Sequence, residues 1–213
     1  MSLKPYETLA RDVGLYAPNC PDTTLVYLLK MTAIDFCQET LWLTHETDPI
    51  DVEEGVSDYL LDVPNGTEPV SVIAAWYMDQ PLYPLGRSTR ERWPSQRVDT
   101  RSQKPFGYSL SDTGTIRLAP MPDRTLAQSL VVKVALMPTY NSTGVSSDLT
   151  GYWTDTLING TLARVYNIPN QPYTNYEQAN KRELMYRQDV AKARIQANKA
   201  LTTASLRVQP RQA

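Results

Sequence analysis

The chain has 213 residues and a formal charge of 21 basic minus 23 acidic groups, or −2. That balance excludes a histone-like polycation that holds nucleic acid by bulk charge. Apolar residues are 41% and charged residues 21%, so most of the chain can fold, as one domain or two.

No stretch reaches the roughly 18 apolar residues of a membrane span. The opening MSLKPYETLARD lacks the apolar run of a secretory signal, so the expectation is synthesis in a cytoplasm. Cys20 and Cys37 form no CxxC pair and read as free thiols. Tyr at 13 against Phe at 2 favours surfaces that pack with a ring and keep a polar tip wet.

Residues 1–21 read as a loosely ordered lead-in ending in Pro18-Asn19-Cys20-Pro21. Asp22 or Thr23 can cap a helix. Leu25, Leu28, Leu29, Thr32, Phe36 and Leu41 recur at helical spacing and predict an amphipathic helix over 24–42. Asp48-Pro49 ends any continuation.

The pattern then changes to short alternating runs. Ile50 to Glu53 and Ser57 to Val63 flank Glu54-Gly55 and read as paired strands. Pro64-Asn65-Gly66 is a turn. Val70 to Met78 is the longest strand expected, and Pro84 demotes Leu82 to Leu85 to an edge. Ser88 to Trp93 reads as one helical turn. Phe106 to Leu110 and Thr115 to Leu118 flank Ser111-Asp112-Thr113-Gly114 as a hairpin. Leu130 to Leu136 is a last strand, closed by Pro138. Such short strands with frequent turns predict a small antiparallel sandwich or barrel.

After polar residues 140–148, helical spacing returns. Leu149, Trp153, Leu157, Ile158, Leu162, Val165 and Tyr166 cover most of a helix circumference, as expected of a helix buried between neighbours. Gly160 costs about 1 kcal/mol against Ala inside that helix, and close helix contact would compensate. Ile168 to Pro172 is a break. Thr174 or Asn175 then caps a final helix from Tyr176 to about Ala204, roughly 45 Å long. Its alanines, among them Ala179, Ala191, Ala193 and Ala197, permit close packing.

The fold class expected is therefore α+β. A three-helix body, with one N-terminal and two C-terminal helices, the last very long, carries an inserted antiparallel β sandwich or barrel. The expected divisions are 1–47 for the lead-in and first helix and 48–147 for the β domain. Residues 148–204 would hold the second and third helices, and 205–213 a C-terminal docking tail.

Charge is segregated. Residues 22–62 hold ten acidic groups against Lys30, residues 87–104 hold six basic against two acidic, and residues 181–211 hold eight basic against two acidic. Three such blocks in one near-neutral chain point to polar docking between copies or onto a partner.

Catalytic constellations are sparse. His45 is the only histidine, which excludes a two-histidine zinc site within one chain and any second histidine-based relay. It reads as a surface residue beside Glu46 and Asp48. No phosphate-binding Gly-rich loop occurs. Asp51, Glu53, Glu54, Asp58 and Asp62 could in principle supply a glycosidase pair, but acidic strand edges and turns account for them. Asp112-Thr113-Gly114 reads as a turn. Arg87 to Trp93 mixes basic and aromatic residues as nucleic-acid binders do, and reads better as a loop anchored by Trp93. No catalytic, cofactor-binding or metal residue is assigned, and no enzyme is expected.

The run Trp153 to Tyr166, WTDTLINGTLARVY, is followed by Pro169, by Pro172-Tyr173-Thr174-Asn175 and by the Ala- and Arg-containing helix. Upstream stand Asp35-Phe36-Cys37, DYLLDVPNGTEPVSV over 58–72, which reads as a hairpin, and GTIRLAPMPD over 114–123. In this order the segments resemble the head-to-tail adaptor (connector) proteins of tailed bacteriophages, especially short-tailed ones. The resemblance implies a helical body with a β-rich insertion, assembled as a ring of commonly twelve copies between the portal and the tail nozzle. It implies a virion component at the capsid–tail junction, with packaged double-stranded DNA passing through the ring without specific binding, and no cofactor. It places portal binding in the C-terminal region, where Arg194, Lys199, Leu206, Arg207, Val208, Pro210 and Arg211 are the candidates. Trp153, Leu157, Gly160 and Tyr166 are the candidate helix-packing residues. The alternatives are a tail-tube or nozzle component and a tail-associated glycan hydrolase.

Overall fold

The computed structural model describes residues 2–86, 104–111 and 114–199. The chain forms two compact units, Met1–Leu43 with Pro138–Ala213, and Thr44–Met137.

Among the described residues the first unit has four helices where periodicity predicted three: α1 (Tyr6–Gly14), α2 (Asp22–Thr40), α3 (Ser147–Tyr166) and α4 (Tyr176–Asn198). The expected loose lead-in is instead a strand, β1 (Leu3–Pro5), running directly into α1. Proline at the N-cap suits a helix start, because its missing N–H has no intrahelical partner there. Tyr6, Leu9, Ala10 and Val13 are all buried, at helical spacing. β1 pairs antiparallel with β11 (Gly144–Ser146), the last strand among the described residues, matching Pro5 with Gly144. A Cβ at Gly144 would stand 2.6 Å from the Lys4 carbonyl oxygen, so only glycine admits this approach.

α2 begins after Pro21 with no side-chain cap, contrary to the expected Asp22 or Thr23 cap. It ends at Leu41, whose left-handed backbone (φ 54°) lets its N–H reach the Cys37 carbonyl at 2.9 Å. Ser146 Oγ caps α3 by accepting from the Asp148 N–H, and Asn175 Oδ1 caps α4 by accepting from the Gln178 N–H. α3 packs on both α2 and α4, and α1 packs on α2. Leu25, Leu29, Phe36, Leu149, Leu157, Leu162 and Tyr186 fill the centre.

Burial also fixes protons. The Tyr6 hydroxyl, 3.2 Å from Ser142 Oγ, is pushed from 10.0 up to about 12 by desolvation, and the Cys37 thiol from 9.0 up to about 12. Desolvation also raises Tyr186, which shares a carboxylate with Arg164 as described below. The fold keeps these protons longer than the unfolded chain does. Their contribution is therefore complete below about pH 9 and is lost as pH rises towards 12, at up to about 1.4 kcal/mol per pH unit for each group. Melting temperature should fall steadily from about pH 9 to 11, and Cys37→Ala should flatten the earliest part of that fall.

The second unit is built of strands, β2 (Leu43–Glu46) starting at the last residue of the first. The others are β3 (Ile50–Val52), β4 (Asp58–Leu60), β5 (Thr67–Tyr77), β6 (Gln80–Pro81), β7 (Tyr83–Pro84), β8 (Gly107–Leu110), β9 (Thr115–Ala119) and β10 (Leu126–Pro138). They form two sheets. In one, β10 pairs with β2, β3 and β5, and β5 with β6; the other has the order β4-β9-β8-β7. β10 supplies the apolar centre of the first sheet through buried Leu130, Val132, Val134 and Leu136. The expected β8–β9 hairpin forms, antiparallel from Gly107↔Ala119 to Leu110↔Ile116. β7 and β8 pair in parallel, contrary to the all-antiparallel expectation.

Two pairings differ from the sequence reading. β3 and β4 do not pair with each other: β3 joins β10 and β4 joins β9, in different sheets. Alternation marks a strand but does not name its partner. For the same reason Asn65-Gly66 does not close a hairpin. Gly66 has φ 79° and the Thr67 N–H reaches the Pro64 carbonyl, a tight turn that carries the chain from β4 in one sheet to β5 in the other. The helical turn expected over Ser88 to Trp93, most of the basic run 87–104, Asp112 and Thr113 lie outside the described residues.

Candidate functional site

A polar belt ties three helices of the first unit together. Asp35 on α2 accepts from Arg164 on α3 at 3.0 Å and from the Tyr186 hydroxyl on α4 at 2.9 Å, both on Oδ2. One turn along α2, Glu39 accepts from Arg187 of α4, whose Nε donates to Glu183 at 2.8 Å. Arg182 donates to Asn159 at 2.6 Å and lays its guanidinium 5.3 Å from the Tyr16 ring centre. Burial, followed by the adjacent Asp35 charge, holds the Tyr186 hydroxyl protonated far above the ordinary tyrosine range. The belt also alters the reading of the charge blocks. Asp35 and Glu39 of the acidic block find Arg164 and Arg187 inside the same chain, so part of the segregation serves the fold.

The four packing candidates all lie on α3. Leu157 and Gly160 are buried, and a Cβ at Gly160 would lie 2.7 Å from both Thr32 Cγ2 and Tyr186 Cδ2. Trp153 is buried at a kink in α3 (φ −126°, ψ 21°). Its ring meets Phe36 at 5.7 Å and Trp42 at 5.1 Å between centroids. Its indole Nε1 is buried without a hydrogen-bond acceptor among the described residues. Tyr166 is half-buried and donates its hydroxyl to the Tyr16 carbonyl at 2.7 Å.

Of the portal-binding candidates, Arg194 is exposed on the last turns of α4 and Lys199 is half-buried just past its end. Leu206, Arg207, Val208, Pro210 and Arg211 lie outside the described residues.

Of the residues weighed for chemistry, Asp51 and Asp58 hold structural bonds. His45 is half-buried on β2. Asp51 Oδ1 accepts from the Gln128 N–H at 2.7 Å, steadying a left-handed residue (φ 49°) where the β3–β10 register shifts. Asp58 takes a two-pronged bond from Arg117 across β4 and β9, at 2.6 and 2.7 Å. Among the described residues no three His, Cys, Asp or Glu side chains group to hold a metal. Nor is any helix among them long and apolar enough to cross a membrane.

Sequence reasoning missed Asp35, Glu39, Tyr186 and Lys30. Lys30 donates to the Tyr140 carbonyl at 2.8 Å and stands over the rings of Tyr6 and Tyr140, at 5.4 and 5.7 Å. Its isolation within the acidic block was the available signal. The i, i+4 spacing of Asp35 and Glu39 was another, since it aligns both acids on one helix face.

No curated protein matches the chain. The model of a family described as SU10 adaptor protein matches residues 4–209, which takes in both structural units. The helical unit, the β unit and the family match together place the chain in the SU10 adaptor protein family, the phage adaptor proteins that act as virion components in contact with other virion proteins.

Proposed function

We propose that the protein is a structural head-to-tail adaptor. Several copies, twelve by the family resemblance, form a ring beneath the portal, present a surface to the tail nozzle and surround the passage for packaged DNA. The observation that carries this reading is the extent of the family match, residues 4–209, which leaves neither unit outside it. The helical unit supplies the rigid body such a ring needs, because its helices are locked by the Asp35–Arg164–Tyr186 belt as well as by apolar packing. The acidic excess of residues 22–62 would repel phosphate wherever it faced the passage.

Portal attachment is assigned to the C-terminal region, with Leu206 and Val208 as apolar anchors and Arg194, Lys199, Arg207 and Arg211 as charged contacts. Each contact is weak alone and is multiplied by repetition around the ring. The test is co-sedimentation with purified portal rings. Full-length protein should sediment with the portal. A chain lacking residues 205–213 should keep its melting temperature and lose most of its binding. Full binding by the shortened chain would overturn the C-terminal assignment, and absence of the protein from purified virions would overturn the adaptor reading.

A further inference from the structure

Two Asn-Gly pairs occur in the chain, Asn65-Gly66 and Asn159-Gly160. Glycine has no side chain to crowd its amide nitrogen. Once that nitrogen has given its proton to base, it can attack the side-chain carbonyl carbon of the preceding asparagine. The fold treats the two pairs in opposite ways.

Asn159-Gly160 is held. Both residues lie inside α3, where helical hydrogen bonding fixes the peptide planes along the axis. Asn159 is half-buried, and its Oδ1 accepts from Arg182 at 2.6 Å. Gly160 is packed so closely that an added Cβ would lie 2.7 Å from both Thr32 and Tyr186. Ring closure between these two residues would require α3 to open between its neighbours.

Asn65-Gly66 lies in the link between β4 and β5, and both residues are exposed. Gly66 stands at φ 79°. The turn is closed by the Thr67 N–H at 3.1 Å and the Thr67 hydroxyl at 2.6 Å, both ending on the Pro64 carbonyl. Opening of so exposed a turn costs far less than opening of a buried helix.

We propose that Asn65 is a site of spontaneous modification, converted by water to aspartate and isoaspartate as the folded protein ages. The Gly66 nitrogen bonds to Asn65 Cγ. The side-chain amide leaves as ammonia, taking a proton from water, and a five-membered succinimide results. Water then opens the ring at one carbonyl or the other. The net change takes up water and releases ammonia, with nothing oxidised or reduced. Either product adds a carboxylate in sequence between exposed Asp62 and Glu68. Isoaspartate also routes the main chain through the former side chain. That adds a backbone carbon to the turn that carries the chain from one sheet to the other. The Pro64–Thr67 bonds no longer fit the longer turn, so this crossing loosens with age.

The test keeps full-length protein folded at about pH 8, below the range in which the protons of Tyr6 and Cys37 begin to be lost. Samples taken over time are followed by peptide mass mapping. The peptide holding Asn65 should gain the mass difference between an amide and an acid. Two products should separate by chromatography, one of them a substrate for an isoaspartyl methyltransferase. Conversion should run about tenfold or more faster than in the peptide holding Asn159. In denaturant, which removes the helix from Asn159-Gly160, the two rates should draw together. Asn65→Gln should stop the gain at this position, because its longer side chain closes a ring poorly, and should melt like the parent. Equal rates at Asn65 and Asn159 in the folded protein would overturn the proposal, as would conversion of Asn65 in denaturant alone. Methyl-accepting product that still forms in Asn65→Gln at the parent's rate would place the reaction elsewhere and overturn it too.

Discussion

Gly160→Leu should lower the melting temperature by roughly 6–12 °C, the shift that about 3 kcal/mol of overpacking produces in a chain of this size. The position has no room even for a methyl group. An added Cβ would meet Thr32 Cγ2 and Tyr186 Cδ2 at 2.7 Å and Tyr186 Cε2 at 2.8 Å. Neither neighbour can step aside cheaply. Thr32 Oγ1 donates to the Leu28 carbonyl at 2.8 Å and accepts from Thr161 Oγ1 at 3.4 Å. The Tyr186 ring is pinned at its far end by the hydroxyl bond to Asp35. Gly160→Ala should fall between parent and leucine variant, because alanine's better helix propensity, about 1 kcal/mol, offsets part of the clash. Thermal melts of the three proteins check the order. A leucine variant that melts with the parent would mean that α3 can rotate or part from α2 and α4.

Close contact at Gly160 was legible because a glycine inside an otherwise well-formed helix needs a reason. α2, α3 and α4 were legible for the same local cause, as their apolar spacing repeats over 19 residues or more. α1 carries an equally good pattern in Tyr6, Leu9, Ala10 and Val13, but over nine residues between prolines. So short a helix owes its stability to packing on α2 rather than to its own propensity. β11 was illegible, since GVS is no strand signal until Leu3 to Pro5, some 140 residues earlier in sequence, supplies its partner. The partners of β3 and β4 were hidden in the same way: each alternates, and only tertiary contact selects β10 for one and β9 for the other.

Charge shows a related limit. Segregated blocks were plain in the sequence, but their use was not. Glu39 with Arg187, and Asp35 with Arg164, lie 148 and 129 residues apart and meet only because α2, α3 and α4 share a core. The charges left for a neighbour are those the fold does not consume, such as Lys181 and Arg194, and composition alone cannot separate the two sets.

Asp35→Ala should cost about 2–3 kcal/mol, or roughly 4–12 °C in melting temperature. Most of that cost belongs to Tyr186. Arg164 keeps a third of its side chain exposed and can turn its guanidinium to water once Asp35 is gone. The Tyr186 residue is 1% exposed, and Asp35 is its hydroxyl's acceptor, so the variant leaves that buried group with nothing to bond. Asp35→Asn keeps an acceptor while losing the charge and should lose less. Tyr186→Phe alone should cost about 1 kcal/mol, the net worth of one such bond. Combined with Asp35→Ala it should cost almost nothing further, because the polar atom that suffered is no longer there. A double-mutant cycle on melting free energies reads the coupling, expected at about 1 kcal/mol or more for groups in direct contact. Simple additivity of the two substitutions would show that the hydrogen bond does not hold the helices. A Tyr186→Phe variant more stable than the parent would show that the buried hydroxyl costs more than Asp35 returns. If the coupling is found, the same Tyr186 ring that makes Gly160 obligatory is fixed from its other end by Asp35. In that case Gly160→Ala should be better tolerated in the Asp35→Ala background, where the ring is free to move, than in the parent.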